Sequence, residues 1–344
     1  MPGVNDCRLK VNFFICMKKR WIQLIIFIVV FLLLNEILLL GLKDDVFMRS
    51  NIDRCVGNEY QDIFIGTSQC RRAVNPDIVA GVTNRSTTNA SIPLSSPLDQ
   101  YYLVKQICVS GHKPERIVYE CDPYYFSEAK SGGHYYYYPN GLNKLKYFLS
   151  GLKQDWRITV APWSFQMGNY FRMGEVFKSK LDYWFKGYSE NINGYQAGGD
   201  SFTPKDIVDH EFVVSDITDE YMDKLISLCR EEGIELILMQ FPVSEEVYYD
   251  MEPAYRQGAD KYFKNVADAN GVEYLNFNVV RENDVDVVVS GDGATFESGD
   301  GNADDDNGVL FENKLDSFID MEGHLKTAPS LLFSEDAGRY LIIK

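Results

Sequence analysis

The sequence predicts an α/β fold built on a mostly five-stranded parallel sheet and preceded by one transmembrane helix. Three observations predict it. Short apolar runs alternate with stretches of helical period, as parallel strands with crossover helices require and a sandwich does not. The run ELILMQF, from Glu235 to Phe241, shows no polar alternation until its end, which suits a strand covered on both faces. From Trp21 to Leu42 the chain reads WIQLIIFIVVFLLLNEILLLGL. As a helix this run rises about 33 Å, enough for a hydrocarbon core of about 30 Å.

Composition bounds the function. The chain has 344 residues, and its 34 basic and 50 acidic side chains give 34 − 50 = −16 at neutral pH, which argues against a nucleic-acid partner. With 45% hydrophobic and 24% charged residues the chain is neither disordered nor polytopic. Seven cysteines are too sparse for a disulfide framework, and none shows C-x-x-C spacing, so most are expected to be buried or idle thiols.

The apolar run sets the expected compartment. Lys18, Lys19 and Arg20 precede it and Asp44 and Asp45 follow it, so residues 1–20 are expected in the cytoplasm, 21–42 in the membrane as a signal anchor, and 43–344 outside. Asn35 and Glu36 lie near the outer end, within reach of headgroups. A cleaved signal peptide is the alternative, but the run is long and LGLKDDVFMRS offers no A-x-A site. Residues 1–42 carry five basic and two acidic side chains, which leaves 29 − 48 = −19 on the rest.

Within that portion DIFIG, Asp62 to Gly66, is the first strand, and a weaker second lies near Thr87 to Ala90. Ser96 and Pro97 supply an N-cap and a first-turn proline for the helix DQYYLVKQICVSG. RIVYE, Arg116 to Glu120, is the third strand. The polar and aromatic interval from 124 to 203 resists assignment to regular sheet and is expected to cover one end as helices and loops. After Ser215 a helix places Met222, Leu225, Ile226 and Cys229 at i, i+3, i+4 and i+7 and stops at Gly233. Glu235 to Phe241 is the fourth strand. A helix around Ala259 to Ala269 ends at Asn270-Gly271, and EYLNF, Glu273 to Phe277, is the fifth. Residues 281–308 form an acidic, glycine-rich insertion whose VVV run, with the VLF that follows it, has hairpin character. A terminal helix is expected near Glu335 to Ile342.

Catalytic groups of open α/β sheets collect at the carboxyl ends of strands. Gly66-Thr67-Ser68-Gln69 lies where the first strand ends, with glycine permitting a tight turn before Ser68. Of four histidines, His112 falls at the wrong end of the sheet, and His134 and His210 fall in the covering interval. His324 follows the fifth strand on the correct edge, with Asp320 and Glu322 near enough in sequence to orient it. A serine, a base and a carboxylate are therefore available in one region.

The blocks DIFIGTSQCRRAVNPDIV, ERIVYECDPYYF, LISLCREEGIELILMQFPVSEE, YFKNVADANGVEYLNFN and FIDMEGHL together resemble the SGNH, or GDSL-like, hydrolase superfamily. They are most similar to its membrane-anchored branch, which contains the D-alanine-transfer protein of teichoic-acid modification and related envelope proteins. The resemblance covers Asp62 to Leu325 apart from the two insertions. It implies a flavodoxin-like three-layer sandwich, Ser68 as nucleophile, His324 as base, and ester chemistry through an acyl-serine without metal or cofactor. It also implies an envelope polysaccharide or acylated glycan as partner, with a membrane-bound O-acyltransferase as a further one. Gly66, Gln69 and Arg71 are the candidate substrate-binding residues.

Three departures stand out. Where the family has an aspartate, three residues before the histidine, this chain has Met321, and a one-residue bulge is needed to bring Asp320 into place. NASIPLSSP supplies no oxyanion glycine, leaving the amides around Leu94 and Ser95, and no asparagine block is recognisable. Two other function classes are compatible with the residues: a non-catalytic glycan-binding or transferase-partnering member of the same fold, and a calcium-dependent adhesion module. For the latter, Asp300, Asn302, Asp304 and Asp306 are spaced like an oxygen-ligand loop, but Asp305 stands where the loop needs glycine. The tyrosines at 135–138 suit either glycan stacking or packing, with packing favoured. Asn84-Arg-Ser and Asn89-Ala-Ser match the glycosylation pattern, which matters only in a eukaryotic secretory host.

Overall fold

The structure is a computed structural model describing residues 19–31, 46–127, 134–139, 141–170, 191–196, 210–278, 311, 314–320 and 323–342. It divides into two compact units, Met1–Val46 with Trp163–Gly187, and Phe47–Pro162 with Tyr188–Lys344. In the first unit residues 19–31 form helix α1, and its apolar side chains, from Trp21 to Phe31, are exposed. Among the described residues no helix is long and apolar enough to cross a membrane. The remainder of the expected 21–42 span lies outside the described residues, as does the whole 281–308 insertion with its hairpin and candidate calcium loop.

The second unit holds a parallel sheet of β1 (Asp62–Ile65), β2 (Thr87–Asn89), β3 (Arg116–Glu120), β6 (Glu235–Gln240) and β7 (Glu273–Asn276), in the order β2-β1-β3-β6-β7. All four pairings are parallel. These are the five strands expected from the sequence. β1 and β3 are buried along their whole length, because helices cover both faces.

One face carries α4 (Pro76–Thr83) and α11 (Thr327–Ile342), with the short α3 (Ser68–Ala73) beside them; the other carries α5 (Pro97–Ser110) and α8 (Asp216–Glu232). Phe64, Val118, Ile237, Met239 and Leu275 alternate along four strands to meet Val79, Phe333 and Leu341, which makes the first of these the principal core. Among the described residues, α2 (Val46–Gly57), α6 (Pro123–Ser127), α9 (Glu245–Asp250) and α10 (Pro253–Asn270) are the further helices of this unit, apart from α7 described below.

The caps follow the sequence. Ser96 and Asp99 form a reciprocal capping box for α5, and Gly111, Gly233 and Gly271 end α5, α8 and α10 in left-handed conformation. Two helices start earlier than expected. α10 begins at Pro253 and α11 at Thr327, where Pro253 and Pro329 sit in first turns that need no donor from them.

The covering interval is more regular than its composition suggests. It holds α7 (Leu142–Tyr170), kinked where Asp155 leaves helical geometry, and a hairpin of β4 (Asn191–Ile192) and β5 (Tyr195–Gln196). Asn193 and Gly194 turn that hairpin with φ of 50° and 97°. Asn193 is bonded to the sheet edge: Asn89 N–H donates to its carbonyl at 3.1 Å, and its Nδ2 donates to Thr87 O at 2.7 Å. β2 is an edge strand, and this contact covers it. The tyrosines are packing groups in so far as they are described: Tyr135 and Tyr138 are buried against Tyr147. Among the described residues Cys55, Cys70, Cys121 and Cys229 are buried free thiols.

Candidate active site

β1 delivers the chain to its carboxyl end, and Gly66 turns it. A Cβ on Gly66 would stand 2.6 Å from Glu120 Cβ and 3.1 Å from Cys70 Cβ, so the backbone crosses β3 at a distance only glycine allows. The Gly66 carbonyl accepts from Ile92 N–H at 2.9 Å, Ser95 Oγ at 3.0 Å and Gln100 Nε2 at 2.8 Å. Thr67 then caps α3, its hydroxyl accepting from Gln69 N–H at 3.2 Å. Ser68, the first helical residue, is half-buried and its amide points out of the unfilled first turn.

The second arm comes from the far end of the chain. Phe318 and Leu325 form an antiparallel bridge, and Ile319 N–H donates to His324 O at 2.8 Å, which folds residues 317–326 back on themselves. His324 Nδ1 lies 2.7 Å from Asp320 Oδ2, and its Nε2 lies 2.8 Å from Ser68 Oγ. The carboxylate fixes the proton on Nδ1, leaving the Nε2 lone pair to accept from the serine hydroxyl. Asp320 Oδ1 also accepts from the His324 amide at 3.3 Å. The spacing is four residues rather than three, and Gly323, directly before His324, has φ +83°. Glu322 and Met321 lie outside the described residues.

Of the candidate residues, the structure brings Ser68, His324 and Asp320 together. Gly66 and Gln69 are buried and engaged within the framework: Gln69 Nε2 donates to Pro242 O at 2.9 Å, tying α3 to the loop after β6. Arg71 is half-buried on α3. Along the segment that follows β2, Ala90 and Ile92 donate to β1, Ser91 to Asn89 Oδ1 and Ser96 to Asp99, and Pro93 has no donor. Leu94 and Ser95 therefore hold the uncommitted amides of that segment, and Leu94 is exposed with φ +56°. Asn89 is fully buried with its Nδ2 on Cys70 O and Val74 O, so this acceptor-like asparagine is closed to modification in the folded chain.

Glu120 is a residue the sequence reading passed over. It is fully buried at the end of β3, and its Oε2 accepts from Thr67 N–H at 2.6 Å, directly behind the turn that carries Ser68. Its Oε1 has no hydrogen-bond partner. Burial, then the neighbouring Asp122 carboxylate, push its pKa well above the ordinary 4.5, which favours the neutral acid over the carboxylate. The sign of the consequence follows from linkage. A carboxyl whose folded pKa is raised contributes stability that is complete below the unfolded value and is lost as pH rises towards the folded one. Glu120→Gln imitates the protonated form, so the melting temperature of the variant relative to wild type is expected to rise steadily from pH 4 to pH 8. A difference that stays flat across that range removes the assignment.

A cavity of about 290 Å³ lies at the opposite end of the sheet, between the amino ends of β6 and β7, where Glu273 is raised to about 7 by burial and by Glu235. It is remote from the carboxyl ends where Ser68 and His324 meet. Among the described residues no group of three or more His, Cys, Asp or Glu side chains is arranged to hold a metal ion.

No protein-family model matches the chain, and no curated protein matches it. Among solved structures it is similar to a chain from Desulfitobacterium hafniense DCB-2 assigned to the G-D-S-L family of lipolytic proteins. The alignment covers 81% of this chain and 98% of that one, at 9% identity and a TM-score of 0.37, a likeness that bears on neither fold nor function.

Proposed function

We propose that this chain is an SGNH-type serine esterase or O-acyltransferase acting on acyl groups of a cell-envelope polymer or exopolysaccharide. The observation that carries the reading is His324, whose ring nitrogens meet Ser68 Oγ at 2.8 Å, across 256 residues of sequence, and Asp320 at 2.7 Å. In the proposed cycle Nε2 takes the hydroxyl proton as Ser68 Oγ attacks the ester carbonyl, and Asp320 stabilises the imidazolium. The Ser68 amide, with those of Leu94 and Ser95, supplies donors for the oxyanion. His324 returns the proton to the leaving alcohol, and water or a sugar hydroxyl then opens the acyl-serine by the same route in reverse.

In this reading residues 21–42 anchor the domain at the outer face of a membrane, where a membrane-bound O-acyltransferase is a fitting partner. The charge of −19 on residues 43–344 favours a neutral glycan over a polyanion. The test is labelling of the full chain in membranes with a fluorophosphonate probe. Labelling should be lost in Ser68→Ala and in His324→Ala, and labelling indifferent to both changes eliminates the acyl-serine.

A further inference from the structure

The amino-terminal part of α7 turns an apolar face to solvent. Leu142, Leu145, Leu149 and Trp156 are 66%, 51%, 50% and 63% exposed, and they recur at i, i+3, i+7 and i+14. At about 100° per residue Leu142, Leu145 and Leu149 form one stripe, and Trp156 follows just beyond the kink at Asp155. The opposite side of the helix is the packed one: Tyr147 and Gly151 are buried, Asn143 Nδ2 donates to Tyr102 O at 3.3 Å, and Ser150 meets the Tyr102 hydroxyl at 2.8 Å. The stripe is therefore not a misplaced core face.

Charge identifies what it faces. Between residues 142 and 157 the helix carries Lys144, Lys146, Lys153 and Arg157 against Asp155 alone, 4 − 1 = +3, on a chain whose total is −16. Arg157 is paired with Asp155 at 3.1 Å, so the surplus resides on the lysines. Lys146 and Lys153 are exposed and follow Leu145 and Leu152 along the stripe's border. A second copy of the same basic face would set lysine against lysine, whereas an anionic lipid surface would satisfy both the apolar stripe and its border.

We propose that this face of α7 lies on an anionic lipid surface, with Leu142, Leu145 and Leu149 in the boundary between headgroups and acyl chains and Lys146 and Lys153 against lipid phosphates. The rest of residues 43–344 carries −19 − 3 = −22, a net charge that such a surface repels, so α7 sets which side of the domain meets it. This orientation is independent of whether Ser68 is a nucleophile.

The test places a nitroxide at Leu145→Cys or Leu149→Cys in the full chain, with Val109→Cys on α5, 68% exposed, as the water-facing reference and the unsubstituted protein as background. Each is reconstituted in phosphatidylcholine vesicles with and without phosphatidylglycerol. Relative collision with oxygen over a water-soluble nickel chelate should rise several-fold at 145 and 149 when phosphatidylglycerol is present, and stay unchanged at 109. The double change Lys146→Glu with Lys153→Glu should erase the rise. Equal nickel access at 149 and 109 overturns the proposal. So does dipolar broadening at 149 that disappears on dilution with unlabelled protein, which would assign the face to a second copy.

Discussion

Ser68→Ala and His324→Ala are each expected to lower kcat for an aryl acetate by on the order of 10⁴-fold or more, and the double variant to lose no more than either single one. In the proposed cycle the two side chains act as a unit, because the proton would pass along the 2.8 Å contact between Oγ and Nε2. Removing the hydroxyl leaves nothing for the imidazole to activate, and removing the imidazole leaves a hydroxyl that is a poor nucleophile at neutral pH. Asp320→Asn tests the orientation separately. An amide that turns its NH2 to Nδ1 stabilises the Nε2–H tautomer, which cannot accept from Ser68, so kcat should fall by about 10²- to 10⁴-fold while the fold persists. Losses under tenfold in the first two variants would be incompatible with catalysis through this contact.

The strands were legible because their apolar runs lie in an otherwise polar portion of the chain, and a parallel sheet demands such runs. Ser68 and His324 were legible because the carboxyl-end rule leaves few candidates. The Asp320 spacing was harder. The spacing shows that a one-residue bulge is needed but not which residue accompanies it, and Gly323, directly before the histidine, is the residue with positive φ there. Glu120 was missed although a signal existed: Glu120, Gln240 and Asn276 each end a strand whose other residues are mostly apolar, and all three are buried. Polar groups repeated at one end of a sheet mark the edge where the backbone turns need partners. Asn193-Gly194 likewise carried a hairpin signal inside the covering interval, obscured by the aromatic composition around it. What composition could not convey is the cross-chain bonding, such as Gln69 to Pro242, because it joins residues 173 apart in sequence.

Gly323→Ala is expected to lower kcat by about 10²-fold in protein that remains folded, because it moves one arm of the site against the other. A Cβ there would run into Gln69 Nε2 and stand 3.0 Å from both Pro242 O and Val243 Cγ1. Gln69 cannot simply withdraw, since the same nitrogen holds Pro242 O at 2.9 Å and the residue sits one position after the nucleophile. The strain must therefore appear as displacement of the segment carrying His324 or of the turn carrying Ser68, and proton transfer at 2.8 Å tolerates little of either. The positive φ adds a stability loss of about 1–2 kcal/mol by itself. Gly233→Ala separates the two effects: at φ +66° it meets the same backbone penalty, yet nothing lies within 4 Å of its Cβ. It should lose comparable stability by thermal unfolding and keep kcat within about twofold of wild type. Gln69→Ala placed on Gly323→Ala removes the side chain in the way and should recover part of the lost kcat despite breaking the Pro242 bond. If both glycine variants lose kcat in proportion to melting temperature alone, the contact between these arms has no catalytic role and the crowding at Gly323 is only a packing feature.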